Sequence, residues 1–184
     1  FPTRRSSDLV IEILPGGVVT KKAAAHIQLD ENGEFVRNLK EDLVKVAVVE
    51  RHQGTGNVAC GFLKGYGIKE GAVALSVAHD SHNIIVVGVN DEEMGFAVNS
   101  LIAQEGGIVL VKEGKVIEQM PMPIAGLMSD QSGEWVDEKL TSIHEKAYTE
   151  LGICGDVEPV MTLCFMSLAV IPEIKLTEIG RASC

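Results

Sequence analysis

Two histidines and an aspartate stand close together in the sequence, in a short polar segment between two apolar runs. The segment contains His79, Asp80, His82 and Asn83. Imidazole nitrogens can ligate a metal, and a histidine oriented by a carboxylate can carry a proton. His-x-x-His spacing alone is weak evidence, so an ordinary polar turn whose histidines bond the backbone is the alternative.

A second group of charged residues ends an earlier apolar run. Glu50, Arg51 and His52 follow the alternating valines of residues 44–48 and lead into a glycine-rich stretch. Such a group can bind an anion or a polar ring, or it can be a solvated strand end with a surface salt bridge. The glycines lack the Gly-Lys-Ser/Thr ending of a phosphate-binding loop, so phosphate is not the expected ligand.

The predicted strands bring these two groups together. Residues 44–49, 72–78 and 83–89 read as strands. Residues 54–71, rich in glycine, predict a loop and a poorly regular helix, long enough to cross over between parallel strands. We therefore expect the first two strands to be parallel neighbours, with both polar groups at one sheet edge and Arg51 or His52 approaching Asp80.

The remaining elements predict an α+β fold with mixed β-sheet and packed helices. Asn90 and Glu93 match a capping box before a helical apolar pattern. Glu113 and Gly114 predict a hairpin, and residues 136–151 predict a long amphipathic helix.

Composition excludes several classes of protein. The chain has 184 residues, 26 acidic against 16 basic residues and a formal net charge of -10, which argues against nucleic acid or an anionic membrane as partner. Its apolar runs are too short to span a bilayer, and its four cysteines form no Cys-x-x-Cys pair. We expect a cytoplasmic protein.

Both ends of the sequence resemble translated sequencing-adapter DNA. One possible coding of residues 178–184 is, over most of its length, the reverse complement of part of a possible coding of residues 1–9. We therefore leave both ends out of the predicted fold and expect them to be extended or poorly packed. Residues 10–20 are then a possible end of a preceding β-sandwich domain, and residues 21–177 form the domain proper.

Several stretches of the chain, taken in order, resemble one family. They are VAVVERHQGTGN (46–57), GFLKGYGIKEG (61–71), SVAHDSHNIIVVG (76–88), NDE (90–92), PIAGLMSD (123–130) and MTLCFMSLAVIPEIKL (161–176). This pattern is similar to the C-terminal domain of bacterial-type adenine deaminases, in the amidohydrolase superfamily. The resemblance spans nearly all of residues 10–177.

The resemblance implies a longer chain in which other domains carry out the catalysis. Enzymes of this family hydrolyse adenine to hypoxanthine and ammonia, using manganese or iron held in a (β/α)8 barrel. This sequence has no barrel, no His-x-His of the amidohydrolase metal site and no HxE…PCxxC signature. We therefore expect no metal ligand or bound cofactor here, and no activity from this fragment alone.

The same resemblance implies partners and a role for the polar residues. The expected partners are adenine, the chain's own preceding domains and further copies in a homo-oligomer. The candidates for proximity to the active site are His79, Asp80, His82, Asn83, Glu50, Arg51 and His52. The alternative is a non-catalytic oligomerisation or lid module whose polar motifs are purely structural.

Overall fold

The apolar runs form the strands of a central sheet in the computed structural model, which describes residues 8–16 and 18–183. The strands are β1 (Asp8–Ile13), β2 (Thr20–Ala25), β3 (Gln28–Leu29), β4 (Phe35–Val36), β5 (Leu43–Val49), β6 (Val58–Lys64), β7 (Ala72–Leu75), β8 (Ile84–Gly88), β9 (Gly107–Lys112), β10 (Lys115–Pro121), β11 (Ile174–Thr177) and β12 (Gly180–Ser183). The helices are α1 (Asp91–Ala103), α2 (Gly133–Thr149) and α3 (Pro159–Cys164).

Eight strands make one mixed sheet within this described part, in the order β10-β9-β7-β8-β5-β6-β1-β2. Strands β1 and β6 are parallel, whereas every other neighbouring pair in this sheet is antiparallel. The short pairs β3–β4 and β11–β12 form two further hairpins. The α+β prediction is confirmed.

Helices cover both faces of the sheet because its central strands are apolar on both sides. Helix α1 buries Met94, Ala97 and Leu101 against one face. Helices α2 and α3 pack on the opposite face. Asn90 caps α1 as predicted, since its side chain accepts a hydrogen bond from the Glu93 amide at 2.8 Å. No helix in residues 8–16 or 18–183 is long and apolar enough to cross a membrane.

A buried ion pair fixes the start of α1 on the sheet. Lys45 lies on β5 and is only 3% exposed, and its ammonium group donates to both carboxylate oxygens of Asp91 at 2.6 and 2.8 Å. Asp91 occupies the first turn of α1, where a negative charge also favours the helix dipole. The pair therefore sets where α1 begins relative to β5.

Two predictions about the central elements are wrong. Residues 54–71 contain strand β6 rather than an irregular helix. Strands β5 and β7 are not neighbours, because β8 lies between them and pairs antiparallel with both. Because β8 is antiparallel to both, β5 and β7 still run in the same direction.

The ends of the described chain are paired rather than loose. Asp8 and Leu9 belong to β1, and β12 pairs with β11, so these residues are extended as expected but pair with the fold. Their adapter-like origin stays a prediction. The Arg181 guanidinium donates to the carbonyl of Leu9 at 2.7 Å, which joins the two ends. Residues 1–7 and 184 lie outside the described residues. Since β1 is part of the main sheet, a domain boundary near residue 20 stays a prediction.

Two glycine substitutions test the architecture in opposite directions. Gly95 is exposed within α1 and a Cβ there would meet nothing, so Gly95→Ala should stabilise the protein by roughly 0.5–1 kcal/mol. Gly71 has φ +67°, and a Cβ there would overlap the Val111 carbonyl oxygen. Gly71→Ala should therefore destabilise it, by on the order of 1–3 kcal/mol from backbone strain alone. Urea unfolding of both variants measures these changes, and equal effects would contradict the placement of α1 and β7.

Candidate functional site

Three loops meet at one edge of the sheet. Val49, the last residue of β5, pairs with Ile84, the first residue of β8, so residues 50–57 and 76–83 leave the sheet side by side. The third loop, residues 122–130, follows β10, which also ends at this edge. We call this region the loop edge.

Arg51 connects the three loops. Its Nε donates to the carbonyl of His82 at 2.5 Å, and its Nη2 donates to the carbonyl of Ala125 at 2.9 Å. Its backbone amide donates to the side-chain oxygen of Asn83 at 3.2 Å, and Asn83 is only 2% exposed. Burial lowers the pKa of the Arg51 guanidinium, which nevertheless stays charged at neutral pH.

Glu50 organises its own loop. Its carboxylate accepts hydrogen bonds from the amides of His52, Gln53 and Thr55, and from the Thr55 hydroxyl at 3.0 Å. These donors, led by the Thr55 amide, lower the Glu50 pKa to about 2. Glu50 is therefore a carboxylate whose oxygens are engaged by its own turn, and it is poorly suited to exchange protons near neutral pH.

The histidines form a short aromatic row. The His79 ring stacks on Phe165 with centroids 4.8 Å apart, and His82 meets His79 edge-on at 5.3 Å. Burial lowers the His82 pKa, and the neighbouring His79 and Arg51 add to this effect. His82 is thus neutral at pH 7, and its buried Nδ1 has no hydrogen-bond partner among the described residues.

His52 ties the first loop to the second. Its Nε2 lies 2.6 Å from the carbonyl of Ser81, and because a carbonyl only accepts, this nitrogen carries the proton. The predicted juxtaposition of the two polar groups at one edge is confirmed. Arg51 and His52 bond backbone carbonyls rather than the exposed Asp80, although His52 reaches the carbonyl of Ser81, the residue next to Asp80.

Two parts of the loop edge are not among the sequence candidates. The turn at residues 124–128 supplies the Ala125 carbonyl, and Phe165 supplies the stacking partner of His79. Pro123 and Gly126 signal a turn, but nothing in the sequence indicates that this turn meets Arg51. Phe165 lies in an apolar tail, and its contact with His79 depends on tertiary structure alone.

The described residues do not supply a metal shell. Within residues 8–16 and 18–183 no group of three or more His, Cys, Asp or Glu side chains is placed to hold an ion. His79 and His82 offer two nitrogens, one fewer than the protein ligands of a typical catalytic zinc site. These residues do not fit the manganese or iron that the resemblance implies.

The Glu50 loop predicts a pH-dependent difference in stability. A carboxylate whose pKa is depressed on folding stabilises the folded state above its unfolded pKa and loses that effect as the pH falls towards its folded pKa. Glu50→Gln should therefore unfold more easily than the wild type at pH 7, and the gap should narrow between about pH 5 and about pH 2. Urea unfolding at several pH values measures the gap. Glu145→Gln, at an exposed position of α2, is the matched control, and a gap independent of pH would contradict the assignment.

Comparison with known proteins gives one consistent result. The family described as the adenine deaminase C-terminal domain matches residues 17–184. The chain is 70% identical over 171 residues to adenine deaminase 2 of Desulfotalea psychrophila, which covers 93% of this chain and 30% of that protein. It is 49% identical over 170 residues to the adenine deaminase of Ligilactobacillus salivarius, which covers 92% of this chain and 29% of that protein. The chain thus spans about 30% of the length of these curated relatives, and it belongs to the adenine deaminase C-terminal domain family.

Proposed function

We propose that this chain is the C-terminal part of an adenine deaminase, which hydrolyses adenine to hypoxanthine and ammonia as a step in purine salvage. The observation that carries the proposal is the 70% identity to an adenine deaminase across 93% of the chain. Manganese or iron, bound in the preceding part of the longer protein, would supply the activated water of this reaction. The activation of that water is not assigned to residues of this chain. A cytoplasmic location and a homo-oligomer stay predictions.

The loop edge is the surface that faces the preceding domains. Strand β1 lies before residue 17, where the match to the C-terminal domain family begins. It runs parallel to β6, and β6 begins beside the end of β5, so β1 starts on the side of the loop edge. Ile124 and Met128 are 46% and 59% exposed on the turn whose Ala125 carbonyl bonds Arg51. Exposed apolar side chains beside a polar cluster are typical of a contact surface.

At this surface the two histidines are the groups suited to serve the reaction. His82 is neutral at pH 7, and its buried Nδ1 makes no hydrogen bond to a described residue, so this nitrogen retains hydrogen-bonding capacity that the domain does not use. Glu50 and His52, in contrast, are engaged by backbone groups. We therefore assign the functional role to His79 and His82 and a supporting role to the residues around them.

One observation favours the alternative, a non-catalytic oligomerisation or lid module. Most polar side chains of the loop edge bond to backbone groups of the same domain, as expected for residues that only maintain loop shape. In that case the edge contributes a contact surface, and the histidines have no part in turnover. The two functions therefore predict different effects of substituting the histidines.

The 184-residue chain by itself should not deaminate adenine. The described residues lack a metal shell, and the reaction needs an activated water. Ammonia release from adenine, measured with and without added manganese, should equal the buffer rate. Metal-dependent ammonia release by the purified chain would contradict the assignment of the chemistry to the preceding domains.

In a full-length adenine deaminase that contains this domain, His79→Asn and His82→Asn should each lower kcat by roughly 10- to 100-fold, the range expected when groups at a reacting centre are lost or displaced. Circular dichroism and the melting temperature should show intact folding. His26→Asn, at an exposed position outside the loop edge, is the matched control. Unchanged kcat in both histidine variants would favour the non-catalytic module.

A further inference from the structure

The arrangement of the loop edge depends on few backbone contacts. The ladder between β5 and β8 ends at Val49 and Ile84, and beyond that point residues 50–57, 79–83 and 123–128 belong to separate loops. Within the first loop the Glu50 amide bonds the Asn57 carbonyl at 3.0 Å, which closes that loop on itself. Side chains must therefore fix each loop relative to the other two.

Two residues of the loop edge hold a backbone conformation that side chains disfavour. His82 has φ +52° and Ala125 has φ +58°, both in the left-handed region, although neither is glycine. Such conformations persist where the surrounding structure holds them. The carbonyls of these same two residues accept the hydrogen bonds of the Arg51 guanidinium.

The turn around Ala125 is held from two sides. On one side lies the Arg51 guanidinium, so close that a Cβ at Gly126 would lie 2.9 Å from Nη1. On the other side the Ser76 hydroxyl donates to the Gly126 carbonyl at 2.5 Å and accepts from the Gly107 amide at 2.8 Å. The turn is thereby joined both to Arg51 and to the ends of β7 and β9.

Only a planar fork of donors can make both bonds of Arg51. Nε and Nη2 hold their donors at fixed positions of one planar group and reach carbonyls that belong to different loops. A lysine carries the same charge but has a single nitrogen, so it cannot reproduce this geometry. The requirement is for the shape of the group as well as for its charge.

We infer that Arg51 is a positioning residue: by bridging the carbonyls of His82 and Ala125 it fixes the His79–His82 pair and the turn bearing Ile124 and Met128 in the single arrangement that turnover requires. This inference rests on the proposed function of the loop edge. Arg51 acts through the histidines and the turn, and contact with substrate is not part of its role.

The test uses full-length adenine deaminase with Arg51→Ala and Arg51→Lys. Both variants should lose about tenfold or more in kcat with a smaller change in KM, because the reacting groups are displaced while substrate binding is retained. Added methylguanidinium should restore part of the kcat of Arg51→Ala. Arg37→Ala is the matched control, since the Arg37 guanidinium also donates to a carbonyl, that of Lys69 near the opposite sheet edge, and it should keep its kcat and show no rescue.

Each outcome decides one point. Unchanged kcat in Arg51→Lys, or no rescue of Arg51→Ala, overturns the inference about Arg51. The proposed function still stands in that case if His79→Asn and His82→Asn lose turnover. If methylguanidinium rescues Arg51→Ala but both histidine variants are fully active, the histidines have no role in turnover. Arg51 then positions only the turn that bears Ile124 and Met128. Should Arg51→Ala fail to fold, Arg51→Lys, which keeps the charge and the aliphatic stem, decides alone. Full activity of a folded Arg51→Lys overturns the inference.

Discussion

The position of β8 between β5 and β7 is the constraint on which the rest of the domain depends. Because β8 pairs antiparallel with both neighbours, β5 and β7 end, and β8 begins, at the same edge of the sheet. That register brings Arg51 within hydrogen-bond distance of His82 although 31 positions separate them. At the opposite edge of the sheet lie Gly71 and the start of α1. The Lys45–Asp91 ion pair is therefore separate from the polar residues of the loop edge.

Local sequence patterns predicted most elements, but not the order of the strands. The N-cap at Asn90 and the hairpin around Gly114 depend on short-range chemistry, and both occur where the sequence indicates, although the Glu93 carboxylate accepts from the Gly114 amide instead of completing a capping box. Strands β5, β7 and β8 are apolar on both faces, so their side-chain patterns do not show which strands are neighbours. For that reason the prediction that β5 and β7 are parallel neighbours was wrong, although the prediction that both end at one edge of the sheet was right.

The candidate site was predicted to a similar extent. Residue types near strand ends made Arg51, His52 and His82 candidates, because loops at a sheet edge often carry binding residues. Arg51 and His52 bond to the backbone carbonyls of Ser81, His82 and Ala125. Every residue has a carbonyl group, so the sequence does not show which of them will accept these bonds. Phe165 was missed for a related reason, since its apolar surroundings in the sequence do not indicate that its ring stacks on His79.

The central claim is that the loop edge packs against the preceding domains of a longer enzyme, and methionine oxidation tests it most directly. Met128 at the loop edge is 59% exposed in this domain, and Met161, beside Ile13 and Leu14 towards the opposite edge, is 51% exposed. Treatment of the full-length enzyme with dilute hydrogen peroxide, followed by mass spectrometry, measures the oxidation of each residue. The account predicts that Met128 is protected while Met161 reacts. Oxidation of Met128 as fast as that of an unstructured peptide would contradict it.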